Sequence, residues 1–337
     1  MPRKTLGEFS RFAASELYPS LQGLDQERMI MKKRFLIGKA ILGTIMIGPL
    51  IGFMFLNAFY DDNHTPIWVY LLLAIPAITG YIFKDFLDRA NLEIKVFRER
   101  YKKKIITPIV SFLDPRLSYL PEQCIASHLF VESALFQKFP DSYNGEDLIV
   151  GLMDKTPFSF SEITALYKET SHGRERDKDK YLPIFKGLFF VADFNKPFIN
   201  RTLVYPDIAE KKLGANIGHF IQKINRPFGE LIRLENVEFE KEYAVFGNDQ
   251  IEARYILTPD MMEKLVQFKK TIGLPVYVSF TAKRMFIAIE CKENLFEPTY
   301  MTSVIDKNTI YKYYMIIDLF GSLVDTLNLN TRIWGKE

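Results

Sequence analysis

The chain is short of the residues that carry most recognisable chemistry. It has 2 cysteines, Cys124 and Cys291, far apart in sequence. That excludes a CxxC redox pair and a multi-cysteine zinc site. It fits a reducing compartment and leaves a single long-range disulfide open. The 4 histidines, His64, His128, His172 and His219, include no HExxH spacing. There is no GxxxxGK[ST] loop, no GxGxxG after a strand and no GxSxG elbow. Neither charge is in excess: 44 Lys and Arg stand against 41 Asp and Glu, a net charge of +3. No global basic field argues for nucleic acid. The first apolar run starts only after roughly thirty polar and mixed residues, and no A-x-A-like site follows it, so a cleavable signal peptide is not expected.

Two local absences say more. Ala40 to Tyr60 contains no charged residue, and Leu56 to Tyr70 contains no Lys or Arg. At about 1.5 Å per residue the first run spans a hydrocarbon core of about 30 Å. A second apolar run, Ile67 to Phe83, is near the lower limit of about 17 residues. Trp68, Tyr70, Tyr81 and Phe83 stand near its ends, where aromatic rings prefer the interface. A buried hairpin in a soluble domain is the bland alternative, but a soluble helix rarely lacks a polar stripe over so many turns. Gly48 and Gly52 form a GxxxG pair on the first run, and Ala77 and Gly80 offer small residues on the second, a pattern for close helix packing in a membrane. Basic residues crowd the outer sides: Arg28, Lys32, Lys33, Arg34 and Lys39 before the first run, Lys84, Arg89 and Lys95 after the second. Positive charge stays on the cytoplasmic side. Both termini are therefore expected in the cytoplasm, with "DDNHTP" as the external turn.

Phe83, Leu87, Ala90, Ile94, Phe97, Tyr101 and Ile105 then recur at alternating steps of four and three. That is a helix seam of coiled-coil type, predicted to end at Pro108. Ile94, Phe97, Tyr101 and Ile105 are its interaction face. The segment "LDQERMIMKKRF" before the first run is a candidate to lie against it. Lys102, Lys103 and Lys104 are topogenic charge or a contact for anionic lipid.

Beyond Pro108 the pattern turns to strands. "EDLIVGLMDKTPFSFSEITALYKE" reads as two strands around "MDKTP", and "GRERDKDK" as a mobile loop joining strands. "IFKGLFFVADF" reads as a strand buried on both faces, and "RTLVYPD" as a short one. "FEKEYAVFG" and "QIEARYILT" flank the turn "GND" and read as a hairpin, as does "PVYVSFTAKRMFIAIE". "TPDMMEKLVQFKKTIG" reads as a helix with Thr258 as N-cap, Pro259 at its first position and Gly273 closing it. A terminal helix follows, with Ile310, Tyr314, Ile317 and Leu323 or Val324 on its apolar face.

The predicted class is α+β. The chain divides into a cytoplasmic N-terminal segment (1–34), a membrane helix (35–60), an external turn (61–66), a second membrane helix (67–84), an amphipathic stalk (85–107) and a mostly antiparallel β domain flanked by helices (108–337). No βαβ alternation appears.

No catalytic, cofactor-binding or metal-binding set is expected. The weak ligand candidates are Asp193 after a very apolar strand, His219 between glycines, and Glu238 and Glu240, which would share a face if their segment is a strand. Turn contacts and solvated faces are the plainer readings of all four.

"SALFQKFPDSYNGEDLIVG", "FKGLFFVADFNKPF", "FEKEYAVFGNDQIEARYILTP" and "LNLNTRIW" resemble the hallmarks of an uncharacterised bacterial family. Its members have two N-terminal transmembrane helices and a cytoplasmic domain of unknown function, and are often encoded beside LemA-family membrane proteins. The resemblance implies a bacterial inner-membrane setting and no reaction. The expected role is a membrane-anchored scaffold or protein-interaction module. Its partners would be the lipid bilayer and either a LemA-family protein or a second copy of the chain. The rivals are a domain binding a lipid headgroup or small ligand, and a cryptic hydrolase.

Overall fold

The computed structural model describes residues 4–58, 74–153, 156–170, 179–194, 198–206, 229–298 and 301–326. They form two units. One comprises Met1–Pro108 with Glu297–Ile310, the other Ile109–Phe296 with Tyr311–Glu337.

The first unit is helical. Helix α1 (Leu6–Phe12) opens on a capping box: the Glu8 amide donates to Thr5 Oγ1 at 3.3 Å and the Thr5 amide to Glu8 Oε2 at 2.7 Å. A turn of π-helix, Ala13–Leu17, leads directly into α2 (Tyr18–Asn57). Among the described residues this continuous helix is the one long and apolar enough to cross a membrane, and no part of its apolar window is buried. Of the second apolar run, residues 67–73 lie outside the described residues. The remainder opens α3 (Ala74–Leu113). The expected stop at Pro108 does not occur. A proline removes one main-chain donor and crowds the preceding turn, yet the helix continues to Leu113.

The four-and-three pattern on α3 is the less exposed side of that helix. Phe97, Tyr101 and Ile105 are buried and Ile94 is half-buried. Opposite runs α2, antiparallel: Arg34 pairs with Glu93 at 3.4 Å, Arg100 with Glu27 at 2.7 Å, and Phe35 stacks on Phe86 at 5.9 Å. The close approach comes at Gly38, which the sequence does not flag. A Cβ there would sit 2.4 Å from the Phe86 ring. At Gly48, Gly52 and Gly80, by contrast, nothing lies within 4 Å of such a Cβ among the described residues. The side chain of Ala77 is outside them. Gly38→Ala is therefore expected to cost about 1–3 kcal/mol through overpacking, and Gly23→Ala, exposed on the same helix with nothing within 4 Å of its Cβ, much less. Urea unfolding of the two variants in one detergent compares them; equal midpoints would refute the placement of the crossing.

The pattern assigns Glu297–Ile310 to the β domain, but the segment packs with the helices. Glu297 pairs with Arg98 at 3.3 Å. Met301 O accepts from Lys32 Nζ at 3.0 Å. Asp25 Oδ1 accepts from the Val304 amide at 2.9 Å and from Ser303 Oγ at 3.1 Å. Residues 108–337 are thus not one uninterrupted domain.

The second unit is an antiparallel sheet with helices. Its elements are β1 (Ser118–Leu120), α4 (Ser127–Glu132), β2 (Ser142–Met153), β3 (Thr156–Thr170), β4 (Asp179–Asp193), β5 (Thr202–Pro206), β6 (Glu230–Ile232), α5 (Val237–Glu242), β7 (Tyr243–Gly247), α6 (Gln250–Ile256), α7 (Pro259–Ile272), β8 (Val276–Thr281), β9 (Arg284–Glu290) and α8 (Lys307–Thr326), the last beginning in the first unit. Their order across the sheet is β1-β2-β3-β4-β9-β8-β5-β7-β6.

The hairpins β2–β3 and β8–β9 and the short β5 fall where the alternation predicts. Residues 173–178 of the polar loop lie outside the described residues, while Asp179 and Lys180 already belong to β4. That strand sits mid-sheet and is covered on both sides. Phe185 and Phe189 face a cluster with Phe130 of α4. Phe190 faces Phe320 of α8, with ring centroids 6.1 Å apart. Gly187 is needed where β4 crosses β9: its φ is +154°, and a Cβ would meet Ile289 O at 2.0 Å.

Helix α7 starts and stops as its signals predict. Thr258 Oγ1 accepts from the Met261 amide, and Gly273 takes the left-handed conformation with φ 68°. One expected hairpin is absent. "QIEARYI" is a helix, α6, because Asp249 caps it, its carboxylate accepting from the Ile251 and Glu252 amides at 2.8 and 3.0 Å.

Candidate functional site

The densest group of buried ionisable side chains lies on β2 and β3. Glu146 faces Glu162 across the ladder, and the register slips between Glu146 and Ile149. At that bulge Asp147 has a φ of +61°. Its amide donates to Pro121 O and that of Leu148 to Gln123 O, both at 3.0 Å, so the bulged backbone is satisfied from the flanking segment. The bulge brings one carboxylate oxygen each from Glu146, Asp147 and Glu162 within 4.8 Å of one another.

Asp147 and Glu162 are both buried. The Tyr119 hydroxyl of β1 donates to Asp147 Oδ1. Glu162 Oε1 accepts from the Leu295 and Phe296 amides at 2.8 and 3.1 Å. Burial, then the charge on Asp147, push the Glu162 carboxyl up to about 7, against the opposing pull of those two amides. Burial, then Asp147, also drive the Tyr119 phenol far up.

Three carboxylates in reach of one another form a set of hard oxygen ligands. Here the acceptors of Asp147 and Glu162 are turned inward, onto a phenol and two main-chain amides. The arrangement holds the strap after β9 onto β3, and Glu162 can carry a proton near neutral pH. No histidine belongs to the group among the described residues, and the Cys124 thiol lies against Gly145, one residue before Glu146.

The residues singled out by pattern do not converge. Asp193 is exposed and lies 3.6 Å from Arg284 on β9, which also pairs with Glu132 at 2.8 Å. Glu238 and Glu240 do not share a strand face, because "VEFEKE" is helix α5. Asn236 caps it, accepting from the Phe239 amide at 3.0 Å. Glu238 pairs with Lys270, Glu242 with Lys269, and Glu240 accepts from the Leu234 amide. All three are committed to fastening α5. His64, His172 and His219 lie outside the described residues, and His128 is exposed on α4.

Of the basic stretch, Lys103 and Lys104 are exposed but Lys102 is buried, which removes it as a lipid contact. Cys124 and Cys291 are free thiols. The sequence pattern does not single out the Glu146–Asp147–Glu162 group. The adjacent "ED" and the distant Glu162 give no signal until a bulge brings them together.

Residues 183–329 match a family described as a protein of unknown function (DUF3137). The match runs from β4 to the end of α8 and holds two of the quoted motifs, "FKGLFFVADFNKPF" and "FEKEYAVFGNDQIEARYILTP". Tyr119, Glu146, Asp147, Glu162 and helices α1 to α3 fall before it. No curated protein and no solved structure matches the chain.

Proposed function

We propose that the chain is a membrane-anchored interaction module, with α2 in the bilayer and the sheet unit on the cytoplasmic side of a bacterial inner membrane. One observation carries this. In the apolar part of α2, Ile41, Ile45, Ile47, Leu50, Ile51, Met54 and Phe55 are all exposed, so the helix is apolar around its whole circumference. Water does not tolerate such a surface, and a bilayer does. A cleaved signal sequence is the rival for an N-terminal apolar helix. Against it, residues just ahead of the apolar stretch are structural: Asp25, Lys32 and Phe35 hold Glu297–Ile310 and α3. The excess of Lys and Arg on both flanks supports both termini being cytoplasmic, with a second crossing at 67–84.

The role is non-enzymatic on this reading: helices α2 and α3 form an anchor and stalk, and the sheet unit presents the binding surface. Anionic-lipid capture by residues 102–104 finds less support. Beyond the burial of Lys102, Lys103 stands about 30 Å along the helix from Phe83, several Debye lengths from any headgroup there.

Alkaline carbonate extraction tests the anchor. The protein should stay in the membrane pellet, and Ile47→Arg with Ile51→Arg should release or destabilise it, since each mid-span arginine costs about 2.5–3.5 kcal/mol. Complete extraction of the unmodified protein by carbonate would sink the proposal. Orientation is read separately, by single-cysteine labelling: a cysteine at Asn63 should react from outside intact cells and one at Lys178 should not.

A further inference from the structure

The antiparallel pair α2/α3 leaves a groove on its outer side. Ile30, Leu92 and Val96 line it and are 64%, 64% and 42% exposed. Ile30 lies about 7.5 Å along the helix before residue 35, where the membrane helix is expected to begin, with Lys32, Lys33 and Arg34 between, so the groove stands outside the hydrocarbon. An exposed apolar seam between two helices offers a docking place for further helices.

The charges at its two ends identify which. At one end Glu27 of α2 pairs with Arg100 of α3; at the other, Arg34 of α2 pairs with Glu93 of α3. Each level therefore has one acid and one base, and the signs swap between helices from one level to the next. Two copies anchored in one bilayer share an orientation, so a two-fold axis relating them must run along the membrane normal. With the grooves facing, that axis sets α2 of each copy opposite α3 of the other. Glu27 then meets the second copy's arginine at position 100, and Arg34 its glutamate at position 93. Each arrangement places opposite charges together, and Ile30 packs over the second copy's Leu92 and Val96.

We propose that this groove is a self-association surface, on which a second copy of the chain docks to make a parallel four-helix bundle. The proposal rests on the membrane anchoring argued above, which supplies the common orientation. The groove borders the Phe97–Tyr101–Ile105 seam at Phe97, but that seam is buried within one chain, whereas Ile30, Leu92 and Val96 are exposed. Because the rim pairs are half-exposed, they select the partner more than they hold it; the apolar contacts between them supply the adhesion.

The test uses the full chain in native membranes, with Cys124→Ser and Cys291→Ser as background. Two differently tagged copies are co-expressed, one with Ile30→Cys and one with Val96→Cys, and oxidised. A disulfide product carrying both tags is expected. A charge-swapped chain (Glu27→Arg, Arg100→Glu, Arg34→Glu, Glu93→Arg) keeps every ion pair within a chain but reverses its sign. It should crosslink with itself as well as the unswapped chain does. Swapped with unswapped should give at least about fivefold less product, because like charges then face each other across the interface. Equal yields from matched and mixed pairs would overturn the proposed arrangement. Protein that pellets with membranes yet gives no two-tag product overturns the pairing alone. Protein recovered in the soluble fraction overturns the anchoring, and the parallel two-fold with it.

Discussion

Phe320→Ala is expected to lower the unfolding free energy of the sheet unit by about 3–5 kcal/mol. Phe320 is fully buried on α8, with its ring 4.7 Å from Phe160 of β3, 6.1 Å from Phe190 of β4 and 6.4 Å from Phe268 of α7. Truncation removes contacts to two strands and a helix at once and leaves a cavity that rigid strands cannot close. Against a typical total of about 5–15 kcal/mol, the loss brings the unit close to its threshold. Pulse proteolysis in graded urea on the purified full chain reads it as a fall in midpoint. Met315→Ala, on the exposed side of the same helix, is the control and should move by no more than about 0.5 kcal/mol. A Phe320→Ala midpoint indistinguishable from the control would mean that α8 is not part of this core.

Glu162→Gln should abolish a pH dependence that the unmodified chain shows. The Glu162 carboxyl titrates at about 7 in the fold, against an ordinary value of 4.5. Its folded value is the higher, so the folded state holds the extra proton. The associated stability is fully present below pH 4.5 and is lost as pH rises through 7. The loss amounts to about 3 kcal/mol at most, with Glu146 and Asp147 beside it and Tyr119 bonded to Asp147.

Glutamine keeps an oxygen for the Leu295 and Phe296 amides and brings no charge near Asp147. The variant should therefore match the unmodified chain near pH 5 and exceed it near pH 8. Amide hydrogen exchange at Leu295 and Phe296 gives the local readout: faster at pH 8 than intrinsic rates predict in the unmodified chain, and corrected in the variant. A variant that retains the full decline in stability between pH 5 and 8 would refute the assignment.

These two residues differ in how visible they are to pattern. Phe320 belongs to a helix whose apolar spacing is plain, and Ile310, Tyr314, Ile317 and Leu323 are all buried as that spacing predicts. Glu162 looks like any polar residue on an alternating strand. Only the bulge at Asp147 and the strap at Leu295 and Phe296 make it a buried acid.

What the sequence determined by itself was whatever depends on neighbours in the chain. Thr258, Pro259 and Gly273 bound α7 because caps act over one helical turn. Alternation placed β2, β3, β8 and β9, because successive strand side chains take opposite faces. The four-and-three spacing from Phe83 to Ile105 marked the less exposed side of α3, and the uncharged run from Ala40 marked the membrane-length helix.

What only the tertiary structure decided rests on distant partners. "VEFEKE" has strand-like alternation, yet it is a helix, capped locally by Asn236 and seated by the buried Phe239, with Glu242 paired to Lys269 of α7. Among the described residues the close helix crossing comes at Gly38, because Phe86 projects there. Glu297–Ile310 joins the helical unit because Asp25, Lys32 and Arg98 offer it bonds from far upstream. Local preferences of about 1 kcal/mol are overridden where burial of a side chain such as Phe239 contributes about 1.5–3 kcal/mol.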